Sequence, residues 1–233
     1  MSVPDAARAG TALRSAAEVE KRAAARAAAE LVAPGMTVGL GTGSTVAHLL
    51  PALAARRLEI SCVATSLQTA RLATELGLRV APIGGARELD IAIDGADQVA
   101  PGFWAVKGGG GAHTREKIVA AAAARFVVIV DSSKLVPVLG PPVPLELVAF
   151  GVAGTLARLA PAALRDAPPS PDHGVIADYL GEIGDPAELA RRLSETPGLV
   201  EHGLFAPDMV SCVVVGRGED AECLERAPGA SRA

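Results

Sequence analysis

The chain has 233 residues, with 22 Lys+Arg against 26 Asp+Glu, a formal net charge of −4 and a pI near 5.6. Half of it is hydrophobic but only 3% is aromatic, so Ala, Val, Leu and Ile must supply the core volume. This balance argues against disorder, and an acidic chain without basic runs or stacking aromatics argues against a nucleic-acid partner.

Residues 1–17 read as a loose N-terminal extension, followed by a helix over 18–31 that Pro34-Gly35 ends. MTVGL predicts a strand entering a glycine-rich loop, and VAHLLPALAARR the helix after it. LEISCVAT and SLQTARLATELGL follow as strand and helix, then LRVAPI and LDIAIDGAD as two more strands. WAVKGGGG reads as a strand running into glycines, TREKIVAAAAARF as a helix and VVIVD as a strand. Strands that are nearly continuous apolar runs, alternating with helices, predict an α/β domain with a parallel sheet covered on both faces.

After Leu139 the prolines of GPPVP suggest a hinge into a second unit, residues 142–208. Its expected elements are the strand LELVAF, the helix GVAGTLARLAPAAL, a Pro-rich loop, VIADYLGEI and the helix DPAELARRLSET. Asp185 is a good N-cap there, with Pro186 at the first helical position. That composition suggests a small α+β unit. MVSCVVVG then returns to the main sheet within 209–233, and the tail after Gly218 is expected to fray.

The first twenty residues lack the apolar core of a secretory signal, and no stretch reaches 18 uninterrupted apolar residues. The expected setting is cytoplasmic, without a membrane partner. Cys62, Cys212 and Cys223 are odd in number and lack CxxC spacing, so buried or half-buried free thiols are expected and no metal site.

Three clusters fall at the carboxyl ends of predicted strands, where open parallel sheets form ligand crevices. Gly39-Leu40-Gly41-Thr42-Gly43-Ser44-Thr45 could cradle a phosphate with backbone N–H groups, hydroxyls and a helix N-terminus, or be a tight strand-helix turn. It is neither a Walker A loop, having no Lys before Ser44, nor the dinucleotide fingerprint, having Ser44 at the third glycine position. Asp94-Gly95-Ala96-Asp97 places two carboxylates three residues apart, as a turn with a cap or as acid/base groups. Lys107 precedes four glycines, a costly loop unless something must approach the backbone. Glu116 follows, either a helix-start acid or a proton-transfer group. Lys134 in DSSK is a further strand-end cation or a solvated loop lysine. Together these suit proton transfer beside a carbonyl in a phosphorylated substrate, with no metal or redox cofactor.

The blocks VGLGTGSTVAHLL, ATSLQTARLATELGL, DIAIDGADQV, VKGGGGAHTREKIVA, VVIVDSSKLVPVLG and TPGLVEHGLF resemble, in order and spacing, the type A ribose-5-phosphate isomerase family. The likeness covers roughly residues 18–218 and is dense through Leu139. It implies a Rossmann-like parallel-sheet domain (18–141 and 209–233) with a small inserted ferredoxin-like α+β domain (142–208), assembled as a homodimer or homotetramer. It implies metal-free interconversion of ribose 5-phosphate and ribulose 5-phosphate through an enediolate. By motif, Glu116 corresponds to the base, Asp94 to the group assisting ring opening, and Lys107 with Asp97 to the enediolate stabiliser. Thr42, Gly43, Ser44 and Thr45 correspond to the phosphate loop, with Gly95, Ala96, Gly108, Gly109 and Gly110 around the substrate. Lys134 and Lys21 correspond to phosphate-facing lysines.

Three departures stand out from the family pattern. Gln98 replaces the usual Glu after DGAD, which removes a charge beside the site. His113 replaces an apolar residue, as a passive helix-start side chain or a neighbour that retunes the base. The small domain's threonine-aspartate-asparagine-glycine-asparagine signature has become Ala177-Asp178-Tyr179-Leu180-Gly181, and PPSPDHG stands at the basic position before it. That leaves lid closure, oligomer and substrate choice open, with a modified pentose phosphate or a non-catalytic sugar-phosphate sensor as alternatives.

Overall fold

The computed structural model describes residues 3–84 and 89–226, with side chains from Ser15 onward. Helix α1 runs over Val3–Ala29, so the expected N-terminal extension is mostly helix. Apart from Gly10, no breaker lies between Pro4, which a first helical turn tolerates, and Pro34.

Strand β1 (Thr37–Leu40), α2 (Ser44–Ala55), β2 (Ser61–Ala64), α3 (Leu67–Glu75), β3 (Arg79–Val80) and β4 (Leu89–Gly95) follow in the expected alternation. Two short strands come next, β5 (Gln98–Val99) and β6 (Ala105–Val106), then α4 (His113–Ala121) and β7 (Ala123–Asp131). The run expected to be helical through Phe126 therefore switches to strand at Ala123. Pairing with β4, which begins at Leu89 opposite Ala123, overrides the helix propensity of its alanines. The strand WAVKGGGG also departs from expectation. Its β6 lies in a separate three-stranded antiparallel sheet with β5 and with β12 (Leu204–Phe205).

The second unit contains β8 (Val143–Leu147), α5 (Val152–Arg158), β9 (Ala162–Leu164), β10 (Val175–Tyr179), α6 (Pro186–Ser194) and β11 (Leu199–His202). The expected long helix over 151–164 is split, because Pro161 cannot continue it and the Ala162–Leu164 segment pairs with β10 instead. Asp185 caps α6 through its carboxylate, accepting from the backbone N–H of Ala187 at 2.8 Å. The resulting order, β11-β8-β10-β9 and wholly antiparallel, is the ferredoxin-like βαββαβ arrangement.

β13 (Cys212–Arg217) returns to the main sheet as expected, parallel to β7. The tail beyond Gly218 does not fray: it forms β14 (Asp220–Glu225), an antiparallel edge strand joined through a two-residue turn at Gly218-Glu219. Gly218 takes the positive φ that such hairpin turns require. On this edge Cys223 is exposed, against expectation, whereas Cys62 and Cys212 are buried.

The main sheet has the order β14-β13-β7-β4-β1-β2-β3, parallel except for β14, which is Rossmann-like. One face packs Val38, Leu40, Ile91, Ile93, Val127 and Ile129 against α1 and α2. The small faces of Ala24, Ala25 and Ala28, wholly buried, let α1 lie close on the strands. The other face packs Ala92, Phe126, Val128 and Val130 with Val119 of α4 and Phe205. Strand order reverses between β1 and β4, and the crevice outside their carboxyl ends is where such sheets bind ligands. Among the described residues no helix is long and apolar enough to cross a membrane.

Candidate active site

A cavity of about 120 Å³ opens at that crevice, lined by Thr42, Gly43, Ser44, Thr45, Gly95, Ala96, Asp97, Lys107, Gly108, Gly109, Gly110, Glu116 and Lys134. The segments that follow β1, β4, β6 and β7, with the first turns of α2 and α4, supply its walls. β1 ends at Leu40 and passes into Gly41, where an added Cβ would lie 1.9 Å from Cγ of Asp94. Only glycine lets the loop backbone rest against that carboxylate. Asp94 Oδ1 accepts hydrogen bonds from the N–H of Thr42 at 3.1 Å and of Gly95 at 2.7 Å. The Thr42 hydroxyl is engaged with Thr65 at 2.8 Å, so it braces the loop. Ser44 and Thr45 open α2, where unpaired N–H groups and the helix dipole favour an anion.

Lys134 reaches the cavity from the opposite side of the crevice. Its short 3₁₀ turn is capped by Asp131, which accepts from the Ser133 N–H, and held by Glu20 of α1, which accepts from the Ser132 N–H at 2.8 Å. Lys21 lies outside the cavity lining: its Nζ is 2.7 Å from Glu18 on the same helix, and Glu18 also meets His48 at 2.9 Å.

The centre of the site is a buried ammonium between two carboxylates. Lys107 Nζ stands 2.8 Å from Asp94 Oδ2 and 3.1 Å from Glu116 Oε2, and donates to the carbonyl oxygen of Gly95. All three side chains are almost fully withdrawn from solvent. Burial pushes the Glu116 carboxyl up to about 8; the Asp94 charge adds to this, and Lys107 opposes it. Burial also raises Asp94 above its ordinary value, against the pull of Lys107 and two backbone N–H groups. For Lys107, burial acts downward but the charges of Asp94 and Glu116 outweigh it, and the ammonium is held well above the usual lysine value. One lysine thus serves two acids, and burial holds both carboxyls above their ordinary values.

Asp97 faces the glycine loop, where its Oδ2 accepts the Gly109 N–H at 2.8 Å. Gly108 has φ +104, a backbone region that other L residues avoid. His113 lies directly beneath it and is fully buried; burial holds its imidazole down to about 4 and therefore neutral near pH 7. It supports the loop and does not line the cavity. Gln98 likewise turns away from Asp97. Its amide donates to the Gly140 carbonyl and accepts from the Gly140 N–H, both at 2.8 Å, a two-way clasp that a glutamate could not make.

Two side chains that the sequence did not single out reach this machinery. Phe205 is fully buried, with the Lys107 ammonium 5.3 Å from its ring centroid and that of Lys117 at 5.0 Å. Its only signal was its place in the TPGLVEHGLF block. Arg165, from the connection after β9, donates to the carbonyls of Gly108 and Gly109. Its single cue was a basic residue in an otherwise unreadable loop. Among the described residues no group of three or more His, Cys, Asp or Glu could hold a metal ion.

Comparison with known proteins places this geometry. A family model described as ribose 5-phosphate isomerase A (phosphoriboisomerase A) matches residues 61–220, and one described as the DeoR C terminal sensor domain matches residues 16–96. A ribose-5-phosphate isomerase A of Caulobacter vibrioides is 44% identical over 219 residues, covering 87% of this chain and 96% of that protein. One from Halobacterium salinarum is 47% identical over 211 residues, covering 86% and 92%. Among solved structures, ribose 5-phosphate isomerase A from Methanocaldococcus jannaschii superposes with a TM-score of 0.83 at 34% identity, covering 88% and 98%. A D-ribose-5-phosphate isomerase in complex with phospho-erythronic acid gives 0.84 at 35%, covering 90% and 99%.

Proposed function

The chain belongs to the ribose 5-phosphate isomerase A family, and from that premise we propose how its own residues carry the reaction. It is an isomerase that interconverts ribose 5-phosphate and ribulose 5-phosphate. The supporting observation is the Lys107 ammonium set between Asp94 and Glu116 at the floor of an anion-favouring loop.

The phosphate rests on the Gly43–Thr45 backbone and hydroxyls, with Lys134 as counter-charge; Thr42, its N–H held by Asp94, shapes the loop beside it. The open-chain sugar then extends toward Lys107. Asp94, whose carboxyl burial holds above its ordinary value, exchanges protons with the sugar oxygens during ring opening. Glu116 as carboxylate takes the proton from carbon 2; the electron pair forms the carbon 1–carbon 2 double bond, and the carbonyl oxygen becomes enediolate. Lys107 and the glycine-loop N–H groups stabilise that oxygen charge in a site dry enough for such interactions to count. Glu116 returns the proton to carbon 1 while the hydroxyl proton on the carbon 2 oxygen passes to the carbon 1 oxygen, relayed by Asp94, so carbon 2 becomes the ketone and no net proton is consumed. Phospho-erythronic acid, bound by the solved relative, fits this arrangement here as well, since its planar carboxylate carries two oxygens like an enediolate.

The same reading extends to the division at residues 142 and 208 into a catalytic and a lid domain, to a homodimer or homotetramer, and to a cytoplasmic setting. The DeoR match favours a sensor of sugar phosphates as the second reading, but it ends at residue 96, before Lys107 and Glu116. The test is a coupled assay of purified, folded protein with ribose 5-phosphate in the presence of a chelator. Formation of ribulose 5-phosphate is expected; its absence would overturn the assignment.

A further inference from the structure

The small-sheet signature at Ala177–Gly181 has lost most of its family character, yet Asp178 remains and has a defined task. Its carboxylate accepts both edges of the Arg165 fork, from Nε at 2.9 Å and from Nη2. The remaining nitrogen, Nη1, donates to the carbonyl oxygens of Gly108 at 3.0 Å and Gly109 at 3.1 Å. Arg165 thus joins the four-stranded sheet to the glycine loop of the catalytic cavity. A lysine could not do both, because it lacks the planar fork that fixes the angle between the two sets of bonds.

In a trans peptide the C=O and the following N–H point to opposite sides of the chain. Arg165 gathers the oxygens of two successive peptide units on its own side. The N–H groups of Gly109 and Gly110 are therefore turned the other way. For Gly109 this is visible directly, since its N–H meets Asp97 Oδ2 at 2.8 Å. The Gly110 N–H has no partner among the described residues, and Gly110 lines the cavity. Two carbonyl dipoles converging on one side repel each other, and the guanidinium charge between them offsets that repulsion. A run of four glycines also has more backbone freedom to lose than any other tetrapeptide.

We propose that Arg165, oriented by Asp178, is a positioning residue for isomerisation: it sets the peptide planes of the glycine loop so that the Gly110 N–H faces the oxygen that becomes negative. This rests on the assignment of the cavity as the enediolate site. Arg165 touches neither the phosphate loop nor the three buried charges. Its loss should therefore weaken the transition state far more than the ground state.

The experiment compares wild type, Arg165→Ala and Asp178→Asn by steady-state kinetics with ribose 5-phosphate, with thermal melts to verify folding. Arg165→Ala is expected to lower kcat about 10- to 100-fold, with KM within about threefold. Inhibition by phospho-erythronic acid should weaken about 10-fold or more, while inhibition by inorganic phosphate stays within about twofold. Added ethylguanidinium should restore part of the lost kcat. If Arg165→Ala does not fold, Asp178→Asn, which keeps the guanidinium but loosens it, should lower kcat about 3- to 10-fold with the same selectivity between the two inhibitors. An unchanged kcat, parallel weakening of both inhibitors, or a loss that ethylguanidinium does not relieve would overturn the proposal. An inactive wild type would bring down the isomerase assignment together with it, whereas an active wild type beside an unimpaired Arg165→Ala would remove this inference alone.

Discussion

Lys107 Nζ lies 3.1 Å from Glu116 Oε2, with both side chains almost wholly out of water and Asp94 on the ammonium's other flank. The carboxylate proposed as the base is thus held beside its own counter-ion, and a second carboxylate competes for that ion. Burial pushes the Glu116 carboxyl up to about 8, with the Asp94 charge adding to this and Lys107 opposing it. A general base is most effective in that range.

Replacing Glu116 by Gln keeps the shape of the side chain and removes its ability to take a proton. We expect Glu116→Gln to lower kcat by about 10³-fold or more, within or beyond the range typical of lost acid-base groups. Inhibition by phospho-erythronic acid should remain measurable with the same protein. A variant retaining a tenth of wild-type turnover would assign the base elsewhere.

The pH dependence follows from the same group. Below about 8 Glu116 is predominantly protonated in the free enzyme and cannot accept the proton from carbon 2. The rate constant kcat/KM should therefore rise with pH and level off above about 8. In Glu116→Asp the midpoint should move with the new carboxyl's environment. A flat profile between pH 6 and 9 would contradict the assignment.

Stability should move in the opposite direction to activity. The folded-state value of Glu116, about 8, lies above its ordinary 4.5, so the folded protein binds more protons between these limits. Its contribution to stability is complete below about 4.5 and is lost as pH rises through 8. Glu116→Gln lacks this loss, so its melting temperature should match wild type near pH 5 and exceed it near pH 9. The difference should be on the order of a few kcal/mol at most. Equal melting curves at pH 9 would show that the carboxylate is not under strain.

Phe205 offers a test of how Lys107 is held. Two ammonium groups face its ring, and a desolvated contact of this kind is worth about 0.5–2 kcal/mol. Phe205→Leu keeps the site apolar and removes the ring. We expect kcat to fall about 2- to 30-fold with little change in KM, read by steady-state kinetics. A rise in KM with unchanged kcat would place the contribution of Phe205 in substrate binding instead.

The sequence by itself determined the alternation of β1 to β4 with their helices, because buried parallel strands leave near-continuous apolar runs and their loops end in glycine. It also marked Asp94, Lys107 and Glu116, each with a structural use as a turn, loop or helix-start residue, and the resemblance to the isomerase family singled them out together. Local propensity failed where partners far along the chain decide the outcome. Ala123–Phe126 is strand because β4 needs a neighbour, residues 162–164 are strand because β10 does, and the tail is strand because β13 would otherwise leave an edge. Gln98 looked like a lost charge beside the site, and His113 like either a passive helix-start residue or a neighbour of the base; packing shows the first clasping Gly140 and the second filling space under Gly108. Only the tertiary structure could place one ammonium between two acids, or bring Arg165 from the second sheet onto the glycine loop. Each of these contacts joins residues with no periodic relation in sequence. Their effects on protonation and on peptide orientation arise from burial and distance, which the order of amino acids does not carry locally.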